Sequence, residues 1–320
     1  MFELIEEKGS AQAMESDVEP GLLAMRREIE VPVAGGTLRA EAYKTPEARA
    51  ACVVLHGYTE SCEKFREMIW YLVRDGFAVY TYDHRGHGRS VRAVADTSIT
   101  HVDHFDDYLR DMERFMETVV LPETGELPRV LYAHSMGGAI GALALMEHPD
   151  WFERAVLTAP MIAASSAPFP RRLAKALAGA FCLAGRAKER AFVGRPFDPA
   201  SETFENSFCT GRARFDYYEQ KRVRDAHLQN CSPSYAWLRE ALGVTDRLLK
   251  KANTAKITAR VLLCQAALDT IVLLPEQERF VRQVAGAQLQ RFEGAKHEIY
   301  GSSDAVMREY VPAVLSFLKG

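Results

Sequence analysis

The sequence predicts an α/β fold: a mostly parallel eight-stranded sheet, helices on both faces, and a helical cap inserted after the sixth strand. Three observations lead to it. Short continuous apolar runs alternate with longer segments of helical spacing, the pattern of strands covered on both faces. One such run, Arg129-Val130-Leu131-Tyr132-Ala133-His134, turns at Ser135 directly into an Ala-rich helix. The alternation then stops at Met161 and resumes only at Arg260.

Taken in order, a polar lead (1–24) is expected to be poorly ordered or peripheral. Arg27 to Val33 and Thr37 to Tyr43 are β-like runs joined by Gly35-Gly36, a hairpin signal and an antiparallel start to the sheet. Ala50 to Leu55 is a continuous apolar strand that runs into His56-Gly57-Tyr58-Thr59-Glu60. Phe65 to Arg74 has helical spacing and stops at Asp75-Gly76, and Phe77 to Tyr82 is the next strand. His101 to Val120 is an amphipathic helix candidate that precedes the Ser135 strand. After the Ser135 helix comes the strand Ala155 to Thr158, closed by Ala159-Pro160. Residues 161–245 hold helix-like pieces and Pro-rich joints, and a non-sheet insertion of that size reads as a cap or lid. The core, 25–160 and 246–320, then closes with strand Arg260 to Gln265, helix Pro275 to Val284, strand Ala287 to Phe292 and helix Ala305 to Leu318.

With 48% hydrophobic and 26% charged residues in 320, the composition is that of a globular chain, not a disordered or fibrous one. A net charge of −3 leaves no basic field for nucleic acid. The six cysteines lack a C-x-x-C pair and suit reduced thiols in a cytoplasm. The N-terminus lacks the order of a secretory signal, and no run approaches a membrane span. The expected setting is therefore cytoplasmic.

The chemistry starts at Ser135. A serine held in so sharp a strand-to-helix turn has strained backbone angles, tolerable only where the residues two before and two after are small, here Ala133 and Gly137. Such a turn lifts the hydroxyl out of the sheet. Its attack needs a base, and a loop beyond a later strand is the place for one. Three histidines follow Ser135: His148 ends the Ser135 helix, His227 falls in the insertion, and His297 follows the last strand. His297 is the candidate base. Asp269, just beyond the strand ending at Gln265, is the candidate orienting acid; Asp216, Asp225 and Asp246 lie in the insertion or at its exit. The charge that develops on a carbonyl oxygen needs fixed donors, for which the backbone N–H groups of Met136 and Tyr58 are the candidates. His134 and Glu60 are the candidate substrate contacts, although His56 and Glu60 also have a structural reading as shapers of the loop. Neither Asp83, His84 and His87 nor His101, Asp103 and His104 have the pattern of a closed metal site, and no cofactor is expected.

With these residues in hand, the sequence resembles the alpha/beta-hydrolase family and, within it, the lysophospholipase and monoacylglycerol lipase branch. The resemblance rests on His56-Gly57-Tyr58-Thr59-Glu60, Asp83 to Ser90, His134-Ser135-Met136-Gly137-Gly138, and Asp269 and His297 at the family positions. In the insertion, Asn206 to Cys209, Arg214-Phe215 and Ser232 to Leu238 resemble the cap of bacterial lysophospholipases. Ala133 departs from the commoner glycine. The resemblance implies hydrolysis of the ester between one fatty acyl chain and glycerol or a glycerophospho head group, through an acyl-serine. The expected partner is thus a small lipid ester, with no nucleic acid and no obligate protein partner. Basic residues around the apolar stretch Ala176 to Gly185 suit transient contact with the inner face of a membrane, or equally the solvated ends of a packed cap helix. A peptidase or amidase of the same fold and a non-catalytic binding protein are the alternatives.

Overall fold

The computed structural model describes residues 3–45 and 47–320. Its main sheet has eight strands: β1 Arg26–Val33, β2 Gly36–Tyr43, β3 Ala50–Leu55, β4 Phe77–Tyr82, β5 Arg129–His134, β6 Arg154–Thr158, β7 Arg260–Ala266 and β8 Gln288–Phe292. Their spatial order is β1-β2-β4-β3-β5-β6-β7-β8. β1 pairs antiparallel with β2 and β2 with β4; every other pairing is parallel. β3, β4, β5 and β6 are buried along nearly their whole length, the burial expected of strands covered on both faces.

Two apolar cores result. One face packs α2 (Asp106–Phe115) and α3 (Ser135–Glu147) through residues such as Tyr108, Met112 and Leu143. The other packs α1 (Arg66–Arg74) and α7 (Asp304–Lys319) through Phe65, Leu72, Met307 and Tyr310. α3 is buried along almost every residue, because it lies beside the central strands and carries Gly and Ala where it approaches them.

The polar lead differs from expectation. Residues 10–25 are helical, and Met14, Val18 and Leu22 are buried in the second core. These three recur every fourth residue and so form one helix face, a signal diluted by the acidic residues and Pro20-Gly21 between them. Gly21 is seated on the Trp70 ring, where a Cβ would stand 2.6 Å from the nearest ring carbon.

Between β6 and β7 the chain forms α4 (Arg171–Phe181), α5 (Arg212–Arg224) and α6 (Tyr235–Leu248). A division of the chain at 245 falls inside α6, whose Trp237, Ala241, Val244 and Leu248 belong to the first core. The insertion also contributes a two-residue strand, Ser232–Pro233, paired in parallel with Ile99–Thr100. Two residues carry no periodicity, so sequence pattern alone does not register such a pairing.

Candidate active site

β5, at the middle of the sheet, ends at His134, and α3 begins at the next residue. Ser135 takes φ +50°, a left-handed conformation that side-chain-bearing residues rarely adopt. The turn closes only because its neighbours are small: a Cβ on Gly137 would stand 2.5 Å and 2.6 Å from the carbonyl oxygens of His56 and Leu55. Gly141 of the same helix lies over β5, where an added Cβ would stand 2.8 Å from Leu131 Cδ2 and 3.4 Å from the Ala133 Cβ. The Ser135 carbonyl accepts the Met161 N–H at 2.8 Å, tying the turn to the loop after β6.

The loops after β7 and β8 bring two distant side chains to this serine. His297 Nδ1 donates to Asp269 Oδ2 at 2.7 Å, and Nε2 lies 2.8 Å from Ser135 Oγ. With Nδ1 donating, Nε2 presents its lone pair and the serine hydroxyl donates. The Asp269 carboxylate is wholly buried, and its Oδ1 accepts the N–H groups of Ile271 at 2.8 Å and Val272 at 3.2 Å. Burial alone raises a carboxyl pKa; here the hydrogen bond from His297 and the carboxylate's attraction for the imidazolium form of that ring, with those two backbone donors, outweigh it and hold Asp269 below the usual carboxylate range. An anionic acid, an imidazole with its free nitrogen on the hydroxyl, and a strained turn that holds the serine in place make an arrangement that can take the serine proton as a bond forms to carbon.

The loop after β3 carries Tyr58, one of the two candidate backbone donors. Gly57 N–H donates to Glu60 Oε2 at 2.6 Å. The Gly57 carbonyl accepts from His56 Nδ1 at 2.8 Å, a tautomer set by the His84 N–H that donates to His56 Nε2 at 2.9 Å. Thr59, at φ +63°, completes a tight turn. A Cβ on Gly57 would come within 3.0 Å of Ser135 Cβ, so this glycine lets the loop approach the nucleophile. Tyr58 follows at once, its ring stacked 4.1 Å from that of Trp237 on α6. Met136 lies in the first turn of α3, where backbone N–H groups have no intrahelical partner.

His134 and Glu60 border the cavity, with His134 Nδ1 and both Glu60 oxygens engaged within the protein. His134 Nδ1 donates to the Thr158 carbonyl at 3.2 Å, and burial, reinforced by repulsion from His297, holds its pKa far below the usual value. Glu60 accepts from Gly57 and from the Tyr300 hydroxyl and lies 3.4 Å from Lys64, which in turn contacts Glu298 at 2.5 Å. Their visible work is to hold the loops. Lys64 and Tyr300 escaped sequence reasoning, although Lys64 stands four residues beyond Glu60 and Tyr300 three beyond His297. His148 stacks on Trp151 and bonds Glu113 at 2.9 Å, far along α3, and His227 lies on the insertion. Among the described residues, no cluster of three or more His, Cys, Asp and Glu side chains is arranged to hold a metal ion.

Ser135 and His297 open into a cavity of about 560 Å³. One wall is apolar, built from Leu238, Ala241 and Leu242 of α6 with Met161, Ala164 and Ile271. The other is polar: Arg214, Tyr217, Tyr218, Lys221 and Arg222 form one face of α5, opposite Glu63, Lys64 and Glu67.

Residues 46–304 match the family described as serine aminopeptidase, S33. The chain belongs to this family of α/β hydrolases. Lysophospholipase L2 of Escherichia coli K12 is 30% identical to this family member over 272 residues, spanning 83% of the chain and 79% of the relative. The rat monoglyceride lipase is 36% identical over 119 residues, 37% of each chain. Among solved structures, a soluble variant of the Saccharomyces cerevisiae monoglyceride lipase shares the fold with a TM-score of 0.71 at 18% identity, covering 92% of this chain and 95% of that one. This S33 member thus lies in the lysophospholipase and monoglyceride lipase branch.

Proposed function

We propose that the protein hydrolyses the carboxylic ester of monoacyl lipids, lysophospholipids or monoacylglycerols, by way of an acyl-serine. The observation that carries this reading is the hydrogen-bonded chain Asp269–His297–Ser135 at the mouth of a cavity with one apolar and one polar wall. Ser135 Oγ attacks the ester carbon as His297 Nε2 takes its proton; the N–H groups of Tyr58 and Met136 receive the negative oxygen. The imidazolium, stabilised by Asp269, returns the proton to the departing alcohol. Water then repeats the sequence on the acyl-serine and releases the fatty acid.

The family description raises a second reading, an aminopeptidase. A free substrate amine calls for an uncommitted carboxylate, and each cavity-lining glutamate has a cation beside it. Lys64 serves Glu60 and Glu298, Arg66 serves Glu63, Arg214 serves Glu67, and Arg222 serves Glu202 and Glu219. That favours an ester of a polar alcohol over an aminoacyl amide. The test is labelling by a fluorophosphonate together with a panel of monoacyl lipids and aminoacyl amides. Ser135→Ala is expected to abolish labelling and to lower lipid turnover roughly 10⁴ to 10⁶-fold with the fold intact. An active Ser135→Ala enzyme refutes the mechanism, and turnover of amides alone refutes the substrate class.

The same reading treats residues 161–245 as a lid that meets lipid at a membrane surface. Supporting it, α4 buries Ala174 and Ala178 and turns Leu173 and Leu177 outward, with Phe169, Leu183 at 93% exposure, and exposed Arg172, Arg186 and Lys188 nearby. No helix among the described residues is long and apolar enough to cross a membrane. Flotation with anionic vesicles is expected to capture the protein and to lose it in Leu183→Glu; equal capture of both refutes the contact.

A further inference from the structure

We infer that residues 5–19 form a strap that closes the polar side of the substrate cavity and sets which alcohol half of the ester is accepted. The inference rests on reading Ser135 as the nucleophile. It starts from Ser10 and Met14, which line the same cavity as Ser135 and His297 although they lie on the helical lead. Ser10 is 2% exposed and its hydroxyl, buried in this wall, has no hydrogen-bond partner among the described residues.

The strap is braced to both halves of the site. On the core side, Glu7 N–H donates to Asp304 at 2.9 Å and Ile5 N–H to the Tyr71 hydroxyl at 3.0 Å. On the cap side, Glu7 Oε2 accepts the Ala213 N–H at 3.1 Å, and Glu19 pairs with Lys221 and accepts from Tyr217 at 3.3 Å. Arg214 joins all three parts: its guanidinium reaches Glu67 at 3.0 Å and Asp304 at 3.1 Å on the core, and the Ile5 carbonyl on the strap. A wall held this way from two sides keeps its position as substrate enters, which is what discrimination by shape requires.

Placement then assigns the strap to one half of the substrate. With the ester carbon at Ser135, an acyl chain follows the apolar wall of α6, and the alcohol faces α5, Ser10 and Met14. The strap precedes residues 46–304, the span of the family match.

The test compares two esters of one acid, lauroyl lysophosphatidylcholine and methyl laurate, in wild type, Ser10→Leu and Met14→Ala. Ser10→Leu adds bulk to the wall and is expected to lower the ratio of kcat/KM for the phospholipid to that for the methyl ester by roughly ten-fold or more. Met14→Ala removes bulk and is expected to raise the same ratio. Thermal melting accompanies both, and where one variant loses its cooperative transition the other decides. Ratios within about two-fold of wild type in folded variants overturn the inference. Loss of folding in both also overturns it, since the segment would then serve the fold alone. A wild-type enzyme that hydrolyses neither ester refutes the monoacyl-ester reading of the site instead.

Discussion

Asp269→Asn probes the site with the smallest change of shape. In the wild type, Oδ1 accepts two backbone N–H groups, from Ile271 and Val272, while Oδ2 accepts from His297 Nδ1 at 2.7 Å. An asparagine keeps its oxygen toward the two backbone donors, because turning the amide would set NH₂ against both. The NH₂ then faces His297 Nδ1, which must become the acceptor, and the imidazole proton moves to Nε2. At 2.8 Å from Ser135 Oγ, that nitrogen now donates and can no longer take the serine proton. Restoring the active tautomer means losing two hydrogen bonds to a buried group, about 1–3 kcal/mol each, along with the pairing of the imidazolium. A barrier higher by about 4–6 kcal/mol corresponds to a fall in kcat of roughly 10³ to 10⁴-fold. The size agrees with the general template for this exchange in serine triads, about 10⁴. The assay is hydrolysis of a short p-nitrophenyl ester beside a thermal melt to verify folding. A folded variant that loses less than about ten-fold refutes the assigned role of Asp269.

Three further outcomes follow from the same coordinates. Gly137→Ala drives a Cβ to 2.5 Å from the His56 carbonyl and 2.6 Å from that of Leu55, backbone atoms of the neighbouring strand and loop, so denaturant titration is expected to show a loss of about 1–3 kcal/mol or more. Glu41→Gln leaves buried Arg66 without its bidentate partner, at 2.5 and 2.9 Å, and is expected to cost about 3–5 kcal/mol at neutral pH. Burial raises the Glu41 carboxyl but Arg66 more than offsets this and holds it below 4.5, and Glu63 is likewise lowered to about 2. The Glu41 contribution is complete above 4.5 and is lost as pH falls below it, so Glu41→Gln should flatten the acid limb of a stability curve; an unchanged slope refutes the pairing. Trp237→Ala removes the ring stacked on Tyr58 at 4.1 Å, and the loosened backbone donor is expected to lower kcat by about 2 to 10-fold, with Trp237→Phe restoring most of it. A change in KM alone would show that Trp237 contacts substrate rather than positioning the loop.

How much of this was legible in the chain depends on the range of each interaction. Strand β5, the turn at Ser135 and helix α3 are written in consecutive residues, because a buried strand, a strained turn and a close-packed helix each demand particular side chains locally. Asp269 and His297 could be selected by elimination, since only loops beyond the later strands reach the edge where Ser135 emerges. The helical lead is hidden for a related reason: the four-residue repeat of Met14, Val18 and Leu22 is present, but the surface it packs against is distant in sequence and polar residues outnumber it locally.

What the amino-acid order determined by itself was the sheet, its interruption and the chemistry at Ser135, all set by short-range periodicity and by turns that tolerate few residue types. What only the tertiary structure decided was the company those residues keep. Glu60 and the Nδ1 side of His134 acquired partners in the neighbouring loops, the glutamates of the cavity acquired cations, and a segment near residue 10 came to line the same cavity as a serine at 135. Bonds such as Glu7 to Asp304 or Arg214 to Ile5 join residues hundreds of positions apart, and no local pattern announces a partner that only the folded chain brings within reach.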